Sequence, residues 1–370
     1  MQLDFAPLRV EAPASRADLT AHEQAWWHLA RTAPGPSPLR TPAWFLAHLE
    51  HKLAPGQRWR VLLAYDGPRL AGVLPVVEVA ARTLGLPRSR WRVPDDYAAE
   101  AGDPLLDRGL EAATLSALCA ALAKTVPGCL GLEIGRVRPE SATTRAVPRL
   151  EPDGEGSEIA VSGAADAWLR AISENLRVNM RKAANRLERE HPGGLRAEFL
   201  AGAQAPPTLL EEFAALEERG WKGADGGALA RAPAKLALYR TLVAGWAAAG
   251  VLEWHVLRLQ GRAVAMHMAV RLGRTLSLLR ICYDESLGKH MPGNLLIKAM
   301  AEREHAEGRA DAIDFLQAQT WNQQWRMRPV PYGGAFLPAR GLTAALLGGV
   351  PARLKHLAHA AHDAWREARG

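Results

Sequence analysis

Three apolar runs dominate the second half of the chain: VLEWHVLRL (Val251–Leu259), AVAMHMAVR (Ala263–Arg271) and TLSLLRICYD (Thr275–Asp284). Gln260, Gly261 and Arg262 separate the first two, so the pattern predicts a strand hairpin continued by a third strand. The turn ESLGKHMPGN (Glu285–Asn294) follows, then the helical stretch NLLIKAMAEREHAEG (Asn294–Gly308) and a further strand-like run, DAIDFL (Asp311–Leu316). Pro292 suits the first turn of that helix. A helix start has unpaired N–H groups and a positive dipole end, which can hold a phosphate; the alternative is an ordinary strand-to-helix turn.

Ahead of this block, Leu169, Ile172, Leu176, Met180, Ala183 and Leu187 recur at helical spacing and predict one helix over Asp166–His191. Its other face carries Arg170, Arg177, Arg181, Lys182, Arg186 and Arg189, either a basic wall beside an anion or a solvated face. A strand is expected at Leu195–Ala201, and helices at Pro207–Gly220 and Pro233–Ala249 flank the glycine-rich loop Trp221–Arg231. A short helix over Gln317–Pro329, a strand at Tyr332–Leu337 and an amphipathic helical region over Leu342–Arg369 complete this half.

The first half reads as helices at Asp18–Arg31 and Ala43–Lys52, then a hairpin of Trp59–Tyr65 and Arg69–Ala80 around Asp66-Gly67. Pro75 predicts that the second hairpin strand is bulged or lies at an edge. A helix over Leu110–Lys124 and a strand over Cys129–Val137 follow. Arg138–Gly156 lacks periodicity and marks the expected domain boundary, giving domains over residues 1–150 and 151–340 and a helical tail over 341–370. Three antiparallel strands that cross over through a helix to a neighbouring strand predict a mixed sheet flanked by helices, an α/β (α+β) class. The crossover from the third run to Asp311–Leu316 is long enough to be right-handed and parallel, and such strands can part at their C-terminal ends to admit a ligand.

Composition changes this picture little. At 370 residues and 48% apolar content the chain can bury the cores of two domains. A net charge of +7 favours an anionic ligand or surface. Cys119, Cys129 and Cys282 form no CxxC pair and suit buried thiols in a reducing compartment. With neither a signal-like start nor an uncharged run long enough to span a bilayer, a soluble cytoplasmic protein is expected.

Candidate chemistry gathers in the second half. If strand alternation holds, His267 shares a face with Ala265 and Ala269; small neighbours leave room for a ligand, and a histidine can act as base near neutral pH. A satisfied structural histidine is the alternative. Asp314 is a carboxylate in an apolar strand, so it is either functional or paired with a cation from the Asp166–His191 helix. Asp284 suits a cap at its strand end as well as a site role. Trp221 and Lys222 sit in a loop able to fold over a ligand, and Gln317 and Gln319 suit hydrogen bonds to a sugar or amide. His356, His359 and His362, three apart, drift around a helix and predict no metal site. No Gly-x-Ser-x-Gly elbow is present, and the 12 tryptophans are dispersed, which argues against nucleic-acid binding as the main role.

The element order resembles the GNAT N-acyltransferase fold, in which the turn before the crossover helix holds the pyrophosphate of acetyl-CoA. More closely, the chain resembles the bacterial CelD/BcsL group associated with cellulose biosynthesis. The resemblance rests on NLRVNMRKAANRLER (Asn175–Arg189), Trp221-Lys222-Gly223, Gly261–Leu296, Gly308 and Asp314-Phe315-Leu316, with TPAWFLAHL (Thr41–Leu49), LAGVLPV (Leu70–Val76) and Asp95-Asp96-Tyr97 in the first half. It implies two tandem GNAT-like domains, the first degenerate and shaping the acceptor cleft, the second active. It further implies an acetyl-CoA or other acyl-CoA donor, no metal, and a small-molecule or saccharide acceptor linked to envelope polysaccharide, with association to polysaccharide synthesis machinery.

On this resemblance Arg280, Lys289, His290, Gly293 and Asn294 hold the cofactor-like donor; His267, Asp314 and Lys222 act at the acyl carbon; and Trp221, Tyr283, Asp284, Gln317 and Gln319 face the acceptor. Two departures stand out. Trp321-Asn322 occupies the place of a Tyr-Lys pair, and Leu287–Asn294 replaces the compact Arg/Gln-x-x-Gly-x-Gly/Ala signature. Tandem GNAT-like halves also occur in the FemABX group, implying aminoacyl-tRNA as an alternative donor. A non-catalytic partner of a polysaccharide synthase is the third expectation.

Overall fold

The computed structural model describes residues 8–83, 86–94, 102–220 and 227–339. They divide into two compact units, the first built from residues 8–45, 53–154 and 331–339, the second from residues 46–52 and 155–330. Trp221, Lys222, Asp95-Asp96-Tyr97 and the expected C-terminal helical tail lie outside the described residues.

The first unit opens with β1 (Arg9–Glu11) and α1 (Arg16–Thr32), the latter started by a reciprocal capping box between Ser15 and Asp18. After α2 (Pro42–His51), β2 (Trp59–Asp66) and β3 (Arg69–Thr83) form the expected hairpin, with Gly67 at φ +57° in its turn. Then come β4 (Leu86–Arg92), β5 (Leu105–Leu106), α3 (Glu111–Thr125), β6 (Cys129–Val137) and the single turn α4 (Thr143–Ala146). β3 is an interior strand, not an edge, and it is bulged at Ala71 against β2. Pro75 is tolerated because β3 pairs with β5 at Gly72–Val73 and with β4 only from Val77 onward, so the proline, which lacks an N–H, falls in the gap. α3 covers this sheet with Leu115, Leu118 and Leu122 against Leu62, Leu74 and Ile134. It approaches so closely that a Cβ on Gly72 would lie 2.4 Å from Thr114 Cγ2.

The stretch without periodicity after Val137 contains both α4 and the start of β7 (Glu151–Ala160). In the second unit the expected single helix is two, α5 (Ala165–Ala171) and α6 (Glu174–Glu190). The break has a local cause: the Ser173 N–H leaves the helix to donate to the Gln324 carbonyl at 3.0 Å, and Ile172 turns into the core. β8 (Leu195–Ala201), α7 (Leu209–Glu218) and α8 (Pro233–Ala248) follow. The antiparallel meander is then β9 (Leu252–Leu259), β10 (Arg262–Leu272) and β11 (Thr275–Tyr283), as the apolar runs predict. A 3₁₀ turn over Glu285–His290 leads into α9 (Pro292–Glu307), which crosses over to β12 (Ala312–Asp314).

β11 and β12 are parallel, and the order within this unit is β7-β12-β11-β10-β9-β8. α6 and α9 bury Leu176, Met180, Leu296 and Met300 against one face, over Ala265 and Ala269. The other face carries Trp254 against Phe213 of α7, ring centroids 5.9 Å apart. After a 3₁₀ turn at Thr320–Trp325, β13 (Arg328–Pro338) returns the chain to the first unit, where Ala335 pairs with Ile134 of β6; it is longer than its apolar pattern suggests.

Buried charge anchors the C-terminal end of α9. Glu304 accepts from Arg271 at 2.6 and 3.1 Å, and Arg271 also donates to Glu253 of β9 at 2.6 and 3.1 Å. Arg309 bridges the same two carboxylates, at 3.1 Å to Glu253 and 3.4 Å to Glu304. Burial works to raise the Glu253 carboxyl, but the hydrogen bonds and charges of His255 and Arg271 outweigh it and hold it at about 2. A carboxyl depressed on folding contributes stability that is present above its unfolded pKa and is lost as pH falls through the folded value. Urea unfolding followed from neutral to acid pH is expected to lose about 3 kcal/mol through this group, mostly between pH about 4.5 and about 2. Glu253→Gln should flatten that loss; an unchanged pH dependence in the variant would contradict this assignment.

Candidate functional site

The site begins where two parallel strands part. β11 pairs with β12 only from Thr275 to Ser277 and then runs on alone to Tyr283. β12 stops after Asp314 because the Leu316 N–H donates to Asp314 Oδ1 at 2.9 Å and Leu316 adopts φ +63°, a left-handed conformation that turns the chain away. On its other edge β11 carries a bulge: Met268 pairs with Arg280 and Ala269 with Leu278, leaving Leu279 unmatched.

A cavity of about 430 Å³ opens beside the free part of β11. Its walls include His267 of β10, Ile281 of β11 and Ile297 of α9; Gln319, Trp321 and Gln324 close it from the segment after β12.

α9 contributes its first turn. Met291 caps it at φ +51°, its own N–H donating to Gly288 and its carbonyl accepting from Leu295. Pro292 has no N–H, so the unpaired donors of this helix start are the amides of Gly293 and Asn294, and both residues line the cavity. Gly293 is glycine for space: a Cβ there would lie 3.1 Å from Tyr283 Cδ1. Asn294 is oriented by Trp325, whose indole N–H donates to its Oδ1 at 3.2 Å, and Trp168 stacks on Trp325 at 5.9 Å.

His267 is buried, and the alternation expected of β10 holds, with Ala265 and Ala269 in the core packed under α9. Burial, with His255 adding to it, keeps the His267 pKa well below the usual histidine value, so the ring is neutral at physiological pH. Its Nδ1 is buried with no hydrogen-bond partner among the described residues, and the ring lines the cavity. Tyr283 stands partly exposed at the rim, and burial, then Glu285, raise its phenol, which keeps its proton.

The remaining candidates divide. Gln319 joins the cavity and Gln317 does not; the Gln317 carbonyl instead accepts from Ser157 Oγ at 3.1 Å and from Asn322 at 3.3 Å. Asp284 is buried and caps the 3₁₀ turn, accepting from the Ser286 N–H at 3.1 Å and pairing with Arg262 at 3.1 Å. Asp314 turns the chain as described, accepting from the Leu316 N–H. Lys289 is exposed, whereas His290 is buried with Nε2 2.9 Å from Glu190 of α6. Arg280 is buried beneath the cavity, 2.6 Å from Glu217 and over the Tyr239 ring at 5.2 Å, so its guanidinium is committed inside the protein.

Sequence reasoning missed Glu217, Met291 and Gln324 as lining residues. For Glu217 a signal existed. Leu210, Phe213, Ala214 and Glu217 lie on one helical stripe, so the glutamate occupies a core position. Trp321, which stands where a Tyr-Lys pair was expected, walls the cavity edge-on to Phe315 at 5.7 Å, while Asn322 is buried and ties Ser157 to the Gln317 carbonyl. Among the described residues no group of three His, Cys, Asp or Glu side chains is placed to hold a metal ion, and no helix is long and apolar enough to cross a membrane.

Comparison with known proteins finds one matching family of domains. Residues 174–327 match the family described as an acetyltransferase (GNAT) domain. No curated protein matches the chain. Among solved structures, FemX superposes with a TM-score of 0.60 at 11% identity, over 88% of this chain and 97% of its own. A conserved protein of unknown function from Bacteroides thetaiotaomicron gives 0.53 at 12% identity, over 86% and 97%. The C-terminal domain (DUF2156) of an Agrobacterium fabrum protein described as a lysylphosphatidylglycerol synthetase gives 0.52 at 13%, over 90% and 95%. At these identities the likeness is one of fold. The chain thus carries a GNAT acetyltransferase domain within its second unit and is an acyltransferase of the GNAT type.

Proposed function

We propose that the protein transfers an acyl group, most simply acetyl, from acyl-CoA to an amine or hydroxyl on a sugar or other polar metabolite. One observation carries this reading: a single cavity joins the free amides of a helix start to a neutral histidine. The amides of Gly293 and Asn294, with Lys289 on the exposed turn beside them, suit the diphosphate of the donor. The thioester then lies between β11 and the Gln319–Gln324 wall, within reach of His267 Nε2. His267 takes the proton of the attacking amine or hydroxyl, the acyl–sulfur bond breaks, and the thiolate leaves. A thiolate is a good leaving group, so the base and the positioning carry most of the catalysis. Arg280 supports the cavity floor through Glu217 in place of the donor contact suggested by resemblance. Resemblance to the CelD/BcsL group supports an acceptor linked to envelope polysaccharide and an association with its synthesis machinery.

A second reading, aminoacyl transfer from a charged tRNA, draws support from the fold shared with FemX and the lysylphosphatidylglycerol synthetase domain. It also draws support from α6, where Arg177, Arg181, Lys182 and Arg186 have no acidic partner among the described residues. Release of CoA thiol from acetyl-CoA in the presence of amino sugars tests the first reading. His267→Gln is expected to lower turnover by about 100-fold or more. Lys124→Ala, at an exposed position of α3 outside the cavity, should leave turnover unchanged. A fully active His267→Gln enzyme would remove the histidine from the chemistry. Absence of CoA release, together with salt-sensitive binding of charged tRNA, would favour the second reading.

A further inference from the structure

One polar contact beside the cavity has a direction fixed by chemistry. Trp325 is buried, and its indole N–H lies 3.2 Å from the Asn294 carboxamide. An indole nitrogen can only donate, so the atom it meets is the oxygen, and Nδ2 of Asn294 is turned the other way. Asn294 is half-buried and lines the cavity. Its Nδ2, which carries two N–H donors, has no hydrogen-bond partner among the described residues and is not sealed from solvent.

The contact is held from behind. Trp325 stacks on Trp168 of α5, with centroids 5.9 Å apart and planes 14° from parallel. Trp168 stacks in turn on His305 of α9, at 5.6 Å and 28°. The neighbouring Gln324 carbonyl accepts from the Ser173 N–H at 3.0 Å, so the backbone ahead of Trp325 is tied down as well. A carboxamide fixed in this way loses little freedom when a ligand binds to it.

Its surroundings say what it would bind. The backbone amides of Gly293 and Asn294 are free at the same helix start. Glu217, the carboxylate among the described lining residues, is taken up by Arg280 at 2.6 Å and by the Leu229 N–H at 2.9 Å. A ligand in this corner therefore meets N–H groups and no uncompensated lining carboxylate. We propose that Asn294 is a specificity-determining residue: its Nδ2, turned by Trp325, donates to a phosphate oxygen of the acyl donor's diphosphate. It thereby selects the phosphate-bearing thioester over its phosphate-free fragment, a role that rests on the acyl-CoA reading above. Trp325 is a positioning residue that acts through the carboxamide. Aspartate at position 294 would keep the Trp325 bond through one oxygen and turn the other, with its negative charge, on the diphosphate.

The test compares Asn294→Asp and Trp325→Phe with the wild type. It reads kcat/KM for acetyl-CoA and for S-acetylpantetheine, with hydroxylamine as the probe acceptor, and calorimetric binding of ADP. Asn294→Asp should lower kcat/KM for acetyl-CoA and the affinity for ADP by about tenfold or more, and leave S-acetylpantetheine within about twofold. An acidic residue in a first turn favours the helix, so Asn294→Asp should melt no lower than the wild type. Trp325→Phe, which keeps an aromatic ring and loses the N–H, should weaken acetyl-CoA and ADP by about threefold or more and spare S-acetylpantetheine. A merely structural role would lower both thioesters together. Equal losses on the two thioesters, or an Asn294→Asp protein that handles acetyl-CoA and ADP as the wild type does, overturn the proposal. If the wild type binds ADP but turns over neither thioester, the acyl-CoA reading falls and the ADP affinities decide this one. Neither binding nor turnover by the wild type overturns both.

Discussion

Everything in the second unit depends on the early end of a three-residue strand. Parallel pairing of β11 and β12 brings α9 across the sheet, and the capture of the Leu316 amide by Asp314 then diverts the chain. Had β12 continued beside β11 to Tyr283, its backbone would occupy the space the cavity fills. The diversion leaves β11 from Leu278 to Tyr283 without β12 on that side, which a sheet tolerates only where another group satisfies the edge. Here the edge faces a cavity suited to a ligand, at the place where strands of an open sheet part.

Burial sets the chemistry around that opening. The carboxylate of Glu217 and the guanidinium of Arg280 are both removed from water and neutralise each other, so the floor is polar without net charge. His267 is pushed toward its neutral form by the same low-dielectric surroundings. At the rim the favourable potential comes from amides and the helix dipole, not from buried cations. Such a mouth suits an anionic ligand, while the interior carries no net charge.

Most of this fold was legible because its strongest signals are local. Val251–Asp284 alternates and breaks at turn residues, so the meander, the glycine-proline turn and the crossover helix could be read from pattern, and His267 could be placed on the face with small neighbours. What failed was set by distant partners. The Asp166–His191 repeat continues unbroken through Ile172, and only the Gln324 carbonyl, far along the chain, explains why the helix stops. Pro75 signalled an edge or a bulge; β3 is bulged at Ala71 but is no edge, and a sequence does not show which stretches of an interior strand lack a neighbour. Arg280 suggested a phosphate ligand by charge alone; its partner, Glu217, lies 63 residues away in sequence.

The central claim is that the mouth formed by α9 binds the diphosphate of an acyl-CoA. Calorimetric titration of acetyl-CoA into the wild-type protein, Gly293→Ala and Lys124→Ala tests it most directly. A methyl at Gly293 meets Tyr283 at 3.1 Å and crowds the helix start, whereas Lys124 is exposed on α3, outside the cavity. The account predicts binding by the wild type, at least tenfold weaker binding by Gly293→Ala, and wild-type affinity in Lys124→Ala. No binding by the wild type, or equal affinity in all three proteins, would contradict it.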